Sequence, residues 1–152
     1  MNKQLVAAGL ALALGAGYTL SALAQVKPET LIKQRQAAMT LQGKYFGPLA
    51  AMAQGKAPFD AKIVARNAEF LNALDKMPWD GFNPATAEAK SAALPEVYKD
   101  PAKFKAAQEL LQTNVGKLVA AAKGGNEGAI KAAIGDVGKA CGGCHDNFRQ
   151  KQ

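Results

Sequence analysis

The feature that most constrains this 152-residue sequence is Cys141-Gly142-Gly143-Cys144-His145, close to its C-terminal end. The pentapeptide holds both cysteines and the single histidine of the whole chain. Two thiols three residues apart can add across the two vinyl groups of haem, and a histidine directly after the second can ligate the iron. On a helix, 141 falls on the same side as 144 and 145, so a ring attached there lies against the helix with the imidazole placed toward its centre. Other chemistries fit less well. A Cys141–Cys144 disulfide is open to an exported protein. A thioredoxin-like pair needs a βαβ context that the sequence lacks. A zinc site needs further Cys or His ligands, and there are none. The motif therefore predicts one covalently bound haem c, attached at Cys141 and Cys144, with His145 as axial iron ligand.

The N-terminal end reads as an export signal. A basic start, Met1-Asn2-Lys3, precedes an uncharged Ala, Leu and Gly stretch from Leu5 to Gly17, and Ala22-Leu23-Ala24 has the small-x-small pattern of a cleavage site. We expect residues 1–24 to be a cleaved signal peptide and residues 25–152 to form one haem domain in the periplasm. An uncleaved anchor would need about 20 apolar residues, more than this stretch supplies. Beyond residue 25 no segment is apolar and long enough to span a membrane. The net charge is +7, or +6 once Lys3 leaves with the signal. The lysines are scattered from Lys27 to Lys151 with no dense run. They suit a solvated basic surface, or a face that docks an acidic periplasmic redox protein. An exported chain has no use for nucleic-acid binding.

The apolar pattern is helical throughout, with spacings of three and four and no sustained alternation. A first helix is expected from Pro28, a favoured first-turn residue, to about Ala53. Its inner stripe is Ile32, Met39, Phe46 and Leu49, helped by Leu31 and Ala38. Pro48 predicts a kink or early end. A second helix starts at the cap Asp60, turns Val64, Ala68, Leu71 and Leu74 inward, and stops by Met77, before Pro78. Residues 78–99 form a long irregular connection with room for a short helix at Ala85 to Ala93. A third helix opens with Asp100-Pro101, keeps period through Phe104, Ala107, Leu111, Val115, Leu118 and Ala122, and ends at Gly124-Gly125. The last begins after Asn126 and sets Ile130, Ile134, Val137, Cys141 and Phe148 on one face. Gly142 and Gly143 weaken it by about 1 kcal/mol each relative to Ala, a cost that close approach of a flat ring would explain. Short links make the first pair and the last pair antiparallel neighbours, so the fold class is all-α.

Four helices ending in this motif resemble the class II c-type cytochromes, cytochrome c′ above all, over the whole chain after residue 24. Arg35-Gln36 followed by Met39 is similar to that family's first-helix signature. Pro78-Trp79 with Phe82 resembles its segment near the haem. Gly138-Lys139, Cys141, Cys144, His145 and Arg149 match its haem-binding helix. The resemblance implies an antiparallel up-down four-helix bundle and a five-coordinate, high-spin iron behind an apolar distal face. It also implies binding of NO or CO, one-electron transfer, and a homodimer through the first two helices. Met39 would lie on the distal side. In the related low-spin c-556 type a first-helix Met is the sixth ligand, so Met39 either packs or coordinates. A bis-histidine iron is excluded by the lone His145.

Arg149, four residues after His145, can share its helix face and meet the imidazole edge or a haem propionate, or can be a solvated arginine at a helix end. Arg35 can pair with a propionate or lie on the surface. Trp79, Phe82 and Phe148 suit packing near the ring. Peroxidase-like catalysis ranks low, because no distal His or Arg is evident to assist O–O cleavage, and a bundle of purely structural purpose leaves the motif unexplained. The expected function is that of a gas-binding and electron-transfer haem protein, not an enzyme. A pyridine haemochrome assay of the purified protein is expected to give one c-type haem per chain; a spectrum without c-type haem would overturn the reading of the motif.

Overall fold

The computed structural model describes residues 26–151. The expected signal peptide and its cleavage site lie outside them. Four long helices are present: α1 (Pro28–Ala53), α2 (Ala61–Leu74), α4 (Pro101–Gly124) and α5 (Glu127–Phe148). Between α2 and α4 the chain makes two 3-10 turns, Trp79–Gly81 and Pro84–Thr86, and the single-turn helix α3 (Glu96–Lys99). Among the described residues there is no strand, only one isolated bridge between Ala93 and Arg149.

The helix ends follow local chemistry. Pro28 and Pro101 begin α1 and α4, where a missing N–H is harmless. Asp60 accepts hydrogen bonds from the N–H groups of Lys62 and Ile63 at 2.8 and 3.0 Å. Asp100 does the same for Lys103 and Asn126 for Ala129, so each of these three helices has a side-chain cap. Gly125 closes α4 at φ +73°, a left-handed conformation that costs glycine nothing. α1 reaches Ala53, as expected, and Pro48 does not end it early. An interior proline costs about 3 kcal/mol, but Leu49 and Met52 beyond it are buried in the core, and their packing prevails. The stretch from Ala85 to Ala93 is not a helix beyond its opening 3-10 turn. Its backbone groups go elsewhere: Gln150 N–H donates to the Ala92 carbonyl and Leu94 N–H to that of Phe148, at 2.8 and 2.9 Å.

Buried amides reveal how the helices run. Gln42 and Asn67 link α1 and α2 by donating to the carbonyls of Leu74 and Tyr45. Asn114 of α4 donates to the Asp136 carbonyl of α5, and Lys103 reaches Asn147. Gln112 donates to Asp75 at the end of α2, while Lys123 pairs with Glu69. In each pair the residue numbers run in opposite directions, so the neighbours are antiparallel. α1 also packs on α5, which closes a ring of four helices. The fold is an up-down four-helix bundle. Each buried amide meets a backbone carbonyl of the neighbouring helix, so no donor is stranded.

The core is made by the residues the periodicity points to. Leu49, Val64, Val115, Leu118, Ile130, Ile134 and Val137 are all buried. The inner stripe of α1 departs from expectation. Ile32, Ala38 and Leu49 are buried, but so are Arg35 and Gln42, while Met39 and Phe46 are only half-buried. Those two turn toward a cavity rather than the core.

One glycine has a steric duty. A Cβ on Gly81 would lie 2.8 Å from the Leu31 carbonyl oxygen and 2.9 Å from Arg35 Cβ. The connection can lie on α1 only because that atom is missing. Gly81→Ala is expected to destabilise the protein by about 1–3 kcal/mol, read as a lower midpoint in thermal unfolding of the holoprotein; an unchanged midpoint would show that the segment shifts freely.

Candidate haem site

A cavity of about 680 Å³ opens between α1, α4 and the C-terminal half of α5, walled on one side by the connection after α2. This is within the roughly 300–1,000 Å³ range of small-molecule and cofactor sites. All nine residues singled out from the sequence line it. Cys141, Cys144, His145 and Arg149 come from α5 and its end. Arg35, Gln36 and Met39 come from α1, and Trp79 and Phe82 from the connection. Over a hundred residues separate Met39 from His145 in sequence, yet both face one space.

The donor set fits haem c. Cys141 and Cys144 are not joined in a disulfide. Burial pushes both thiols up, Cys144 further through its neighbour Cys141. His145 sits at the exposed rim. Its pKa is lowered by partial burial and then by the Arg149 charge, against a smaller opposing effect of Asp146. The imidazole is thereby held neutral, the form that ligates a metal. The rest of the lining is mainly apolar, with Phe46, Leu71, Leu111 and Val115 among it. Two thiols and a neutral imidazole at the rim of an apolar slot suit a flat cofactor held at two edge points and at its metal.

Gly142 and Gly143 are not among the residues that line the cavity, and Gly143 lies on an outer groove between α4 and α5. A Cβ on Gly138 would stand 3.3 Å from the Phe46 ring.

Arg35 is not a surface arginine. It is 4% exposed. Nη1 donates to the Gly81 carbonyl at 2.6 Å and to Thr86 and Tyr98 hydroxyls at 3.2 Å, and Nη2 donates to Ser91 at 2.9 Å. Its guanidinium carbon lies 4.2 Å from the Phe82 ring centre, a cation–π geometry. Among the described residues no acidic side chain pairs with it. One planar fork thus fastens the connection to α1 at four points. Arg149 also departs from expectation. It is the extended C-cap of α5 rather than a further position on its helical face. Its bridge to Ala93 holds it at the cavity rim beside His145.

The aromatic wall is larger than the sequence suggests. Trp79, Phe82 and Phe104 pack mutually at ring separations of 4.9 to 6.2 Å, and Phe104 meets Phe148 edge-on at 5.1 Å. Phe104 belonged to the periodic face of its helix, which marks it as inward but not as part of a site. Only the approach of the connection to α4 reveals its place. Trp79 is anchored through its indole N–H, which donates to the Asp75 carbonyl.

Arg35→Lys is expected to keep a positive charge but lose the fork. It should lower stability in urea unfolding of the holoprotein by about 2–4 kcal/mol, because oxygens of the connection lose a charged donor; wild-type stability would mean that the clamp is idle.

The comparisons with known proteins agree with this geometry. The family model for cytochrome c′ matches residues 30–149. Cytochrome c′ of Rubrivivax gelatinosus is 48% identical over 126 residues, covering 82% of this chain and 98% of that protein. Its crystal structure superposes with a TM-score of 0.79 over the same shares of the two chains. Cytochrome c′ of Alcaligenes xylosoxydans xylosoxydans is 42% identical over 126 residues, covering 83% and 98%. Variants of cytochrome c′ from Alcaligenes xylosoxidans, solved with nitric oxide and with carbon monoxide bound, each match at a TM-score of 0.77, 42% identity and the same coverage. A cytochrome c-556 of Agrobacterium tumefaciens is 31% identical over 121 residues, covering 80% and 98%. With the bundle, its apolar slot and a family match over nearly all the described residues, this chain belongs to the cytochrome c′ family, whose members carry a covalently bound haem c.

Proposed function

We propose that this protein is a periplasmic cytochrome c′ in which Cys141 and Cys144 hold the haem and His145 is the one protein ligand of a five-coordinate iron. Its function is to take NO or CO and to pass single electrons to a periplasmic redox protein. The observation that carries this reading is one cavity lined by His145 from α5 and Met39 from α1, in a chain with no second imidazole. Bound haem c supplies an iron that accepts one diatomic ligand or one electron.

The protein's part is to hold, orient and exclude. Cys141 and Cys144 would hold the haem covalently, so it would stay attached when the iron's ligand changes. Arg149 helps keep His145 neutral by its charge. Met39, Phe46 and the aromatic wall line the remaining space with apolar groups. Such a lining disfavours water and anions, which lose hydration on entry, and admits small uncharged gases. No imidazole is left over as a distal acid–base group, and Arg35 is committed to the connection. This supports gas binding over peroxidase chemistry. The relatives solved with nitric oxide and carbon monoxide support the same reading.

A second reading has one observation in its favour: the Met39 thioether is half-buried in the same lining as His145. A low-spin electron carrier of the c-556 type, with Met39 as sixth ligand, would use it so. The further expectations stand with the first reading. Residues 1–24 serve export, and among the described residues no helix is long and apolar enough to cross a membrane. A homodimer through α1 and α2 would cover Leu41 and Phe70, large apolar side chains that stand exposed on those helices.

Absorption spectra of the ferric, ferrous and CO-treated protein separate the two readings. High-spin features and ready CO binding by the ferrous form are expected, with Met39→Ala leaving the high-spin character intact. A sharp low-spin spectrum that is lost on Met39→Ala would overturn this reading and establish the second.

A further inference from the structure

Asp75 is a buried charged group with no part in the site described above. It follows the last residue of α2, is 1% exposed, and neither carboxylate oxygen has a hydrogen-bond partner. Arg35, Gln42, Asn67, Thr86 and Asn114, the other buried polar side chains among the described residues, all have partners. The Asp75 backbone is fully employed. Its N–H donates to the Leu71 carbonyl at 2.8 Å, and its carbonyl accepts from the Trp79 indole and from Gln112 of α4. The preceding carbonyl, that of Leu74, accepts from Gln42 of α1. One corner therefore joins α1, α2, α4 and the aromatic wall of the haem cavity.

An ionised carboxylate is badly placed there. It would sit at the C-terminal end of α2, where the free carbonyls already concentrate negative charge. Among the described residues, the one charged group that acts on it is Lys76, next to it in sequence and exposed. The side chains that reach the corner from α1 and α4 are the neutral amides of Gln42 and Gln112. The following turn supplies the neutral Trp79, and Asp80 on that turn is exposed. Burial pushes the Asp75 carboxyl up to about 6, against a weaker downward pull from Lys76.

We propose that Asp75 is a protonation site that positions Trp79, and through it links the acidity of the medium to the wall of the haem cavity. With the proton on, the corner stays closed and the indole stays anchored to the Asp75 carbonyl. When the carboxylic acid gives its proton to solvent, the carboxylate that remains draws water or the Lys76 ammonium into the corner. The backbone turn that holds the indole then loosens, and the Trp79 wall moves. The proposal rests on haem occupying the cavity that Trp79 lines, and not on the iron's ligand number or the gas it takes.

The native carboxyl binds its proton more tightly than the unfolded chain does, from an ordinary value of 3.8 to about 6. Stability from this group is therefore full below about pH 4 and falls as pH rises through about 6.

The test uses the holoprotein in one oxidation state between pH 4.5 and 8. Trp79 is the single tryptophan, so ultraviolet resonance Raman bands of the indole report its hydrogen bond alone. In the wild type the indole bands and the haem absorption are expected to shift together with one midpoint near pH 6, and the urea midpoint to fall over the same range. Asp75→Asn and the smaller Asp75→Ser are each expected to abolish that common transition and flatten the urea midpoint; if one of them does not fold, the other decides. A transition that survives in the folded variant belongs to another group and overturns the proposal, as does a wild-type indole signal that is constant across the range. Trp79→Phe completes the test: the urea midpoint should still fall with pH while the haem bands cease to follow. Haem bands that still shift there with the Asp75 midpoint would overturn the link through Trp79.

Discussion

The haem cavity depends on one buried cation. Between α2 and α4 the chain has no long helix to hold it in place, yet it must form a wall of the cavity. Arg35 supplies the hold by donating to a backbone carbonyl and three hydroxyls spread over that connection. A guanidinium buried without an acidic partner is a severe requirement, since any of these oxygens lost leaves charge unmet. Its satisfaction is also what positions Phe82 under the guanidinium and brings Gly81 against the backbone of α1. The wall is thus built from α1 outward, although Trp79 and Phe82 are far from it in sequence.

The bundle divides along its length into a closed part and an open part. Where Leu49, Val64, Leu118, Ile130 and Ile134 meet, the four helices fill their common interior. Nearer the C-terminal end of α5, the same helices line a space with side chains that are only half-buried, Met39 and Phe46 among them. The closed part orients α5, because Ile130, Ile134 and Val137 continue into the face that carries Cys141. An ordinary apolar stripe therefore aims the thiols and imidazole. The strap from Ala92 to Leu94, paired with the end of α5, fixes Arg149 beside His145.

Much of this was legible in the sequence for local reasons. The helix starts at Asp60, Asp100 and Asn126 depend on side chains bonding to backbone groups two or three residues away. The stop at Gly125 depends on one dihedral angle. The core positions follow from helical period. The early end that Pro48 could impose and the short helix for which Ala85 to Ala93 had room are absent, because distant partners outweighed local preference. Burial of Leu49 and Met52 carried α1 onward, and the end of α5 took the backbone groups around Ala93.

By itself the sequence determined the chemistry: two thiols and the only imidazole within five residues leave haem c as the cofactor, and the periodic apolar faces leave helices as its scaffold. Tertiary structure decided the surroundings. It made Arg35 a clamp, enlarged the aromatic wall with Phe104, ended the helix before Arg149, and buried Asp75 under the Trp79 anchor. The physical reason is range. Covalent attachment, caps and periodicity act over a few residues and can be read along the chain. The partners of a buried charge, or the walls of a cavity, come from segments that only folding brings together.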